Sequence, residues 1–264
     1  MIPKVIHFCW MSGEPFPELI KECIDSWKEK LPDYKFIKWD STNFDYKKYS
    51  YANEAMSKKK YAFVSDIVRL YALYNYGGIY LDSDIKVLKS FDPLLKNEAF
   101  TGFESADRMG VWLLGSEKGN PFFKELLDCY EGRHFLLTNG EMDLTPNPEI
   151  LGPVFDKYGV QYNNEIQHLP NITIYPKEYF CPLDGSTGEL NITKNSYAIH
   201  LFNGAWKETT DILLSNVYKK TYQRLPNFIG YFAKDKISKS CSAIKIGGLP
   251  FFLRKLQHYI SKKI

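Results

Sequence analysis

The chain has 264 residues, of which 44% are apolar, 25% charged and 16% aromatic. These proportions exclude a disordered or collagen-like chain, and a chain of this length buries enough core to fold without a disulfide or structural metal. The net charge of +3 is too small for the overall positive field of a nucleic-acid-binding protein. No stretch approaches 18 uncharged apolar residues, so no membrane-spanning helix is predicted.

The chain is predicted to begin with a strand, a helix and a second strand. Residues 5–10 form a short apolar run typical of a buried strand. Residues 17–31 carry apolar side chains at amphipathic-helix spacing and stop before Pro32, and residues 35–39 alternate as a strand does. A β-α-β start predicts an α/β fold with parallel strands and helices on the sheet.

The elements that follow surround an acidic motif. Residues 53–76 are predicted as one or two helices that end at Gly77-Gly78, and residues 79–87 as a single strand. The later predicted elements are strands at 99–104, 111–114, 172–175 and 197–201 and helices at 120–131 and from 211 to about 224, with an irregular segment at 133–147. We predict one domain over residues 1–232 and a basic tail over 233–264.

The strongest local signal is Asp82-Ser83-Asp84, two carboxylates one residue apart at the end of an apolar run. Side chains at i and i+2 of a strand point to the same side, so Asp82 and Asp84 are expected to converge. The two carboxylates repel unless a cation lies between them, and their oxygens suit Mg²⁺ or Mn²⁺. The alternative is a solvated strand end without a ligand.

A second charged pair lies upstream in an apolar helix. Asp66 and Arg69 are three residues apart and therefore share one helical face. Burying such charges is costly unless each is paired. A structural ion pair explains the pattern as well as a pair that grips the hydroxyls of a ligand beside the metal.

Two sequence blocks, I-H-F-x-W at residues 6–10 and F-V-S-D-x-x-R-L-x-x-L-Y-x-Y-G-G-I-Y-L-D-x-D at residues 63–84, resemble the DXD-type glycosyltransferases of family 32. The resemblance to the clostridial glucosylating toxins is more distant. These motifs lie within residues 2–88, about a third of the chain. The resemblance implies a GT-A-type single domain, α/β with a mixed, mostly parallel central sheet flanked by helices. It also implies transfer of a hexose from a nucleotide diphosphate sugar, with retention of configuration.

The resemblance also implies roles for individual residues. Asp66 and Arg69 match positions that contact the donor hexose and act in catalysis. Asp82 would contact the sugar-nucleotide and reach the metal through water, whereas Asp84 would bind the metal directly. Ser83 belongs to the same donor-binding motif.

The resemblance further implies that Trp10 stacks on the nucleotide base, at the end of the first strand, where α/β folds place ligands. A tryptophan of the core or its rim is the alternative. His7 lies inside the same strand and is expected to be a core histidine.

A weaker match near the carboxyl end resembles the H-x-x-x-x-x-W segment of these enzymes. His200 is our candidate third metal ligand, because a neutral imidazole binds Mn²⁺ well, although it is also compatible with a core histidine. Trp206 and Lys207 are expected to cover and neutralise the diphosphate. The toxins carry other ligand types here, so the third ligand rests on the weaker part of the resemblance.

No residue stands out as a nucleophile or general base. The acidic candidates in loop-like regions, between which the sequence does not choose, are Glu104, Asp107, Glu141 and Asp143. A front-face mechanism, in which the departing phosphate deprotonates the acceptor, requires no protein base. Residues 136–152 are our candidate for an acceptor-facing loop and are equally compatible with a plain connector.

The carboxyl-terminal tail is strongly basic, with eight Lys or Arg and one Asp in residues 234–264. Residues 249–264 include a basic amphipathic helix that is expected either to lie on an anionic membrane or to pack on the domain. The five scattered cysteines and the absence of a signal-peptide pattern predict a cytoplasmic protein, peripheral to the membrane if the tail binds it.

The sequence-based hypothesis is therefore a retaining, metal-dependent hexosyltransferase of bacterial capsule or surface polysaccharide synthesis. It would use a nucleotide-sugar donor, with UDP-hexose favoured, and a glycan or lipid-linked glycan acceptor, but no nucleic acid. The alternatives are a toxin-like transferase that modifies a protein and a non-catalytic nucleotide-sugar-binding component of a polysaccharide assembly.

Overall fold

The computed structural model describes residues 1–105, 107–204, 209–225, 234–235, 237–242 and 245. The chain divides into two compact units. The first comprises Met1–Pro182 and Ile192–Leu201, and the second comprises Leu183–Asn191 and the described residues that follow Leu201. Every residue of the candidate site described below belongs to the first unit.

The secondary structure alternates between strands and helices. The strands of the described chain are β1 (Val5–Cys9), β2 (Lys35–Trp39), β3 (Gly78–Leu81), β4 (Ile85–Val87), β5 (Ala99–Ser105), β6 (Arg108–Ser116), β7 (Gln167–Leu169), β8 (Ile172–Tyr175) and β9 (Ala198–His200). The helices are α1 (Glu18–Lys30), α2 (Ser50–Ser57), α3 (Tyr61–Tyr76), α4 (Pro121–Asp128), α5 (Asn147–Lys157), α6 (Lys177–Phe180) and α7 (Thr209–Arg224), with short 3-10 helices at Tyr46–Lys48 and Asp92–Leu94.

The main sheet has seven strands in the order β2-β1-β3-β6-β5-β8-β7. The pairs β1/β2, β1/β3 and β5/β8 are parallel, whereas β3/β6, β5/β6 and β7/β8 are antiparallel. Five of the seven strands therefore run in one direction. This is the α/β architecture predicted from the sequence, a mixed and mostly parallel sheet flanked by helices.

A second, two-stranded sheet pairs β4 with β9. Helix α1 supports it. The Trp27 indole N–H, fully buried, donates to the Ile85 carbonyl at 2.6 Å, and the Val87 N–H donates to the Ser26 hydroxyl at 3.0 Å. These two hydrogen bonds satisfy the backbone of a strand that has a sheet partner on only one side, and so fix the strand that follows the acidic motif.

Helix α3 is the most deeply buried helix of the described part of the first unit. Ten of its 16 residues are buried, including Asp66 and Arg69. It ends at Gly77, whose φ of 67° lies in the left-handed region. A Cβ at Gly77 would lie 2.7 Å from the Lys118 nitrogen, so both backbone conformation and space favour glycine where α3 turns into β3.

Most of the predicted elements are confirmed, and the differences lie in short or turn-rich segments. The predicted strand over residues 79–87 is two strands, β3 and β4, separated by a turn at Asp82–Asp84. Strand β7 and helix α6 were not predicted. They have three and four residues, too few to show a period.

The segment predicted to be irregular ends in a helix. Helix α5 begins at Asn147, with Pro148 in its first turn, where proline lacks only an N–H that the helix does not use. The candidate acceptor loop over residues 136–152 was therefore wrong in its last six residues.

Few of the sequence-based predictions concern the second unit and the tail. Helix α7 belongs to the second unit, and residues 249–264 lie outside the described residues. Among the described helices, none is long and apolar enough to cross a bilayer. The boundary between a domain over 1–232 and a tail over 233–264 stays a prediction.

His7 is the core histidine that its position in β1 predicts. It is fully buried, and both ring nitrogens are bonded: the Trp39 indole N–H donates to Nδ1 at 3.1 Å, so Nε2 carries the proton and donates to the Gly77 carbonyl at 2.8 Å. Burial lowers the pKa of His7 to about 4, although the bond to Gly77 acts in the opposite direction. The ring is therefore neutral at pH 7.

We expect His7 to make the folded state sensitive to acid. Because its folded pKa of about 4 lies below the ordinary histidine value of 6.5, the unfolded chain takes up a proton in this window that the folded chain excludes. The stability contributed by neutral His7 is present above pH 6.5 and is lost as the pH falls to 4, by about 3 kcal/mol. Urea unfolding from pH 7.5 to 4 should show this loss in the wild type and a smaller one in His7→Gln. The control His168→Gln, which alters an exposed side chain, should keep the wild-type slope; an equal slope in His7→Gln would contradict the assignment.

Candidate functional site

The acidic motif occupies the turn at which the chain passes from the main sheet to the small sheet. Strand β3 ends at Leu81, the Asp82 N–H donates to the Trp112 carbonyl at 2.8 Å, and the Ile85 N–H donates to the Asp82 carbonyl at 3.1 Å. The sequence predicted that Asp82 and Asp84 converge because they alternate along one strand. That reason was wrong: the turn brings the two side chains together.

His200 reaches this turn through the small sheet. In the β4/β9 ladder Ile85 pairs with His200, and the Leu201 N–H donates to the Asp84 carbonyl at 3.1 Å. The His200 Nε2 atom consequently lies 3.6 Å from an oxygen of Asp84. A register shift of one residue would turn the imidazole to the other face of this sheet.

Asp82, Asp84 and His200 form a group that fits a divalent metal ion. One ligand atom from each lies within 4.8 Å of the others, and all three residues are half-buried. Two carboxylates and an imidazole are donors that suit Mn²⁺, and the carboxylates alone suit Mg²⁺. The structure thus brings together the three residues that the sequence predicted as ligands.

Arg69 joins this group to helix α3. Its guanidinium is buried and contacts two carboxylates, Asp66 at 3.1 Å and Asp82 at 3.2 Å. A second arm donates to the Val111 carbonyl on β6 at 2.6 Å, and the Tyr80 ring lies 5.1 Å from the guanidinium carbon. The predicted Asp66 and Arg69 ion pair is therefore present, and Asp82 extends it.

Asp66 is held by two residues that the sequence analysis missed. The Asn147 amide donates to Asp66 Oδ1 at 2.9 Å, and the Tyr130 hydroxyl donates to the amide oxygen of Asn147 at 3.2 Å. All three residues are buried. Neither Asn147 nor Tyr130 lies near the DXD motif in the chain, so no local pattern identifies them.

Burial raises the pKa values of two carboxylates in this site. It raises the pKa of the Asp66 carboxyl to about 7, and the charge of Arg69 and the bond from Asn147 only partly oppose the effect. Burial also raises the pKa of Asp82, again against the attraction of Arg69. One buried cation is thus shared by the buried carboxylate of Asp66 and the half-buried carboxylate of Asp82.

Tyr80 is a further residue of the site. Its hydroxyl donates to Asp82 Oδ1 at 3.0 Å, and its ring is fully buried. Tyr80 and Asp82 are two residues apart across the end of β3, a relationship visible in the sequence. In the described part of the chain, the carboxylate groups of Asp66 and Asp82 accept their side-chain hydrogen bonds through Oδ1. The Oδ2 atom of each carboxylate is left as an acceptor.

Trp10 lies at the same edge of the main sheet as Asp82, because β1 and β3 are parallel neighbours and both residues directly follow their strands. Its indole N–H donates to the Glu14 carbonyl at 2.7 Å, and its ring contacts Phe16 at 5.0 Å. Base stacking by Trp10 and donor contact by Ser83 stay predictions. Trp206 and Lys207 lie outside the described residues.

Of the four acidic candidates that the sequence placed in loop-like regions, Glu104 lies instead near the end of β5. It accepts a hydrogen bond from the Trp112 indole at 3.1 Å, and the Trp112 ring lies 4.8 Å from the His200 ring. Asp143 binds Arg133, and Glu141 binds Asn139. Glu104 is therefore linked to His200 through Trp112, whereas Asp107 accepts a hydrogen bond from the Ser105 hydroxyl at 2.8 Å.

Comparison with known proteins agrees with this chemistry. Residues 17–101 match the family described as "Glycosyltransferase sugar-binding region containing DXD motif". Inositol phosphoceramide mannosyltransferase 3 of Schizosaccharomyces pombe is 33% identical over 143 residues, which are 48% of this chain and 36% of the relative. Inositol phosphoceramide mannosyltransferase 1 of the same organism is 28% identical over 204 residues, 70% of this chain and 62% of the relative.

Among solved structures, the PaToxG glycosyltransferase is similar, with a TM-score of 0.47 and 22% identity over 59% of this chain and 68% of that one. The chain spans between about a third and three fifths of the length of the two mannosyltransferases. Residues 17–101 thus match the DXD-containing sugar-binding region that the sequence motifs predicted. The assignment to family 32 capsular enzymes is not confirmed, since these relatives are eukaryotic enzymes named for a sphingolipid.

We expect removal of the shared cation to destabilise the protein strongly. Arg69→Met leaves Asp66 and Asp82 without their buried cation, and breaking a buried pair in this way costs about 3–5 kcal/mol. Urea unfolding at pH 7.5 measures the loss.

The matched control is Lys157→Met, which removes a cation paired with Glu125 at 2.6 Å on the surface and should cost at most about 1 kcal/mol. Equal losses in the two variants would mean that Arg69 is not the electrostatic centre of the site.

Proposed function

We propose that the protein transfers a hexose from a nucleoside diphosphate sugar to the head group of a lipid acceptor, with a divalent metal ion at Asp82, Asp84 and His200. The observation that carries the proposal is the meeting of two groups at one turn. The candidate metal ligands adjoin the cluster of Asp66, Arg69 and Asp82, and Asp82 belongs to both groups. A sugar diphosphate presents a diphosphate, which binds a metal ion, beside hydroxyls, which bind carboxylates, and the two groups of the protein match these two parts.

The carboxylates and the guanidinium of the site would have different roles. The Oδ2 atoms of Asp66 and Asp82 are suited to accept hydrogen bonds from sugar hydroxyls, because their Oδ1 atoms are used by Arg69, Asn147 and Tyr80. Arg69 keeps both carboxylates in place. Since all of these groups are fixed before the donor arrives, little reorganisation accompanies binding.

Asp84, His200 and Asp82 would hold a divalent ion, which would supply positive charge to the diphosphate of the donor. The two buried hydroxyls beside the carboxylates are engaged, Ser65 with the Ala62 carbonyl and Tyr80 with Asp82. We retain the front-face hypothesis, in which the leaving phosphate takes the acceptor proton and configuration is retained. Trp10, Ser83, Trp206 and Lys207 are proposed as further donor contacts.

The names of the relatives guide the choice of the sugar and of the acceptor in this proposal. Both S. pombe enzymes are named as mannosyltransferases of inositol phosphoceramide. We therefore favour mannose and a phosphate-bearing lipid over the bacterial polysaccharide acceptor of the sequence hypothesis, and we extend the donor test beyond UDP-hexoses. No observation favours the protein-modifying or the non-catalytic alternative. The cytoplasmic location stays a prediction.

The first test is thermal stabilisation by UDP and by GDP, each with and without Mn²⁺. A ligand at 100 times its Kd adds about 2.7 kcal/mol, which raises Tm by about 5–10 °C for a domain of this size. We expect one nucleotide to do so only with Mn²⁺, and Asp84→Asn to lose the effect. The control Asp25→Asn changes an exposed carboxylate on α1 and should keep it.

The second test is transfer of labelled mannose from GDP-mannose, and of hexoses from UDP-sugars, to inositol phosphoceramide in detergent. Asp84→Asn should reduce transfer at least 100-fold, and Asp25→Asn should not change it. A folded protein that binds no nucleotide and transfers no sugar in the presence of Mn²⁺ would contradict the proposal.

A further inference from the structure

A small hairpin near the site holds apolar side chains in solvent. Leu136 and Met142 form a β-bridge, and the Gly140 N–H donates to the Leu137 carbonyl at 2.8 Å across the turn. Leu137 is 45% exposed, Met142 36% and Leu144 50%. We call residues 135–144 the apolar hairpin. Three large apolar side chains are thus exposed within eight residues of one short element.

The base of the apolar hairpin is fixed to the fold. Glu54 on α2 accepts hydrogen bonds from the N–H groups of Phe135 and Leu136, both at 2.8 Å. Phe135 is fully buried and its ring lies 5.0 Å from that of Phe63 on α3. The exposed side chains are therefore presented by an anchored element, so ordering them on contact with a partner costs little entropy.

Three consecutive lysines lie beside this base. Lys58, Lys59 and Lys60 connect α2 to α3, one helical turn beyond Glu54 and directly before the helix that carries Phe63. Lys58 and Lys59 are exposed. In the described part of the chain none of the three forms an ion pair. We call residues 58–60 the lysine turn.

The acidic groups of this region are engaged within the protein. Glu54 holds the hairpin backbone and also contacts His134 at 2.6 Å, and Asp143 contacts Arg133 at 2.5 Å. Glu141 accepts from the Asn139 amide at 2.9 Å. The three charges of the lysine turn have no ion-pair partner among the described residues, and on the hairpin only the single charge of Glu141, which is bonded to a neutral amide, is likewise unpaired, so this surface carries an excess of positive charge.

The chain leads from the apolar hairpin directly into the site. Asp143 Oδ1 accepts from the Thr145 N–H at 3.1 Å, and two residues later Asn147 donates to Asp66. Whatever the hairpin contacts is held within a few residues of the carboxylate that we assign to the donor sugar.

We propose that the apolar hairpin and the lysine turn dock together on the surface of a bilayer that contains anionic lipid. Exposed leucine and methionine side chains enter the acyl boundary, while lysines beside them attract anionic head groups. The docked protein presents lipid head groups to the site. This inference rests on the proposed function, because an enzyme with a lipid acceptor has to reach that lipid in a bilayer. It concerns a surface outside the metal and donor site.

The test is co-sedimentation of the full chain with vesicles of phosphatidylcholine containing 30% phosphatidylserine. The wild type is expected to bind, more weakly at 0.5 M salt because the lysine contribution is screened. Leu137→Ser/Leu144→Ser should weaken binding at least tenfold, since polar side chains no longer enter the acyl region. Lys58→Gln/Lys59→Gln/Lys60→Gln should also weaken it at least tenfold, and only with anionic vesicles.

Two matched controls distinguish this surface from general changes in hydrophobicity or charge. Ile166→Ser/Ile192→Ser removes apolar side chains that are 45% and 50% exposed elsewhere on the first unit, and Lys96→Gln/Lys118→Gln removes two other exposed lysines. Both should bind vesicles as the wild type does. The inference is overturned if the wild type does not bind, if hairpin variants bind normally, or if Leu137 and Leu144 instead mediate a dimer detected by light scattering.

Failure of the docking surface is distinguishable from failure of the proposed function. Both sets of surface variants lie outside the donor site, so each should keep the wild-type thermal shift with nucleotide and Mn²⁺. If these variants lose vesicle binding but keep the thermal shift with nucleotide, the surface is shown to bind the bilayer whether or not the protein transfers a sugar.

Discussion

The sharing of one buried guanidinium between two carboxylates is the interaction on which the site depends. Arg69 contacts Asp66 within its own helix and Asp82 at the end of β3, and it donates to the Val111 carbonyl on β6. A buried cation of this kind does not stabilise a fold by itself, because its desolvation offsets the attraction. It instead fixes one arrangement of α3, β3 and β6, since every other arrangement leaves a buried charge without its partner.

The fold around this cation brings distant parts of the chain to one turn. The main sheet delivers Asp82, the turn delivers Asp84, and the small sheet delivers His200 from more than 100 residues away in the sequence. Helix α1 supports the small sheet through Trp27 and Ser26. The metal-ligand group therefore depends on a strand pair of only three residues each, which is held from one side by a helix.

The same construction connects donor chemistry to the proposed acceptor surface. Asn147 begins α5 and binds Asp66, and the chain just before it forms the apolar hairpin that Glu54 anchors. A short stretch of chain, hydrogen-bonded to Glu54 at one end and to Asp66 at the other, therefore joins the exposed hairpin to the buried carboxylate.

The sequence by itself determined the elements with a clear period or motif. The spacing of apolar residues predicted α1 and α3, and the alternating and apolar runs predicted β1, β2 and β8. The DXD motif, Asp66, Arg69 and His200 were also identified, because chemistry restricted to a few residue types leaves a recognisable local pattern.

Only the tertiary structure decided how these residues act together. The turn between β3 and β4 was hidden because the residues around it, I-Y-L-D-S-D-I-K-V, have the composition of one continuous strand. Asn147, Tyr130 and the hairpin anchor Glu54 had no signal at all, since their partners are about 80 residues away along the chain, or 17 in the case of Tyr130 and Asn147. Local sequence records the period of a helix or strand, whereas hydrogen bonds between distant residues exist only once the sheet order and the packing of α2, α3 and α5 are set.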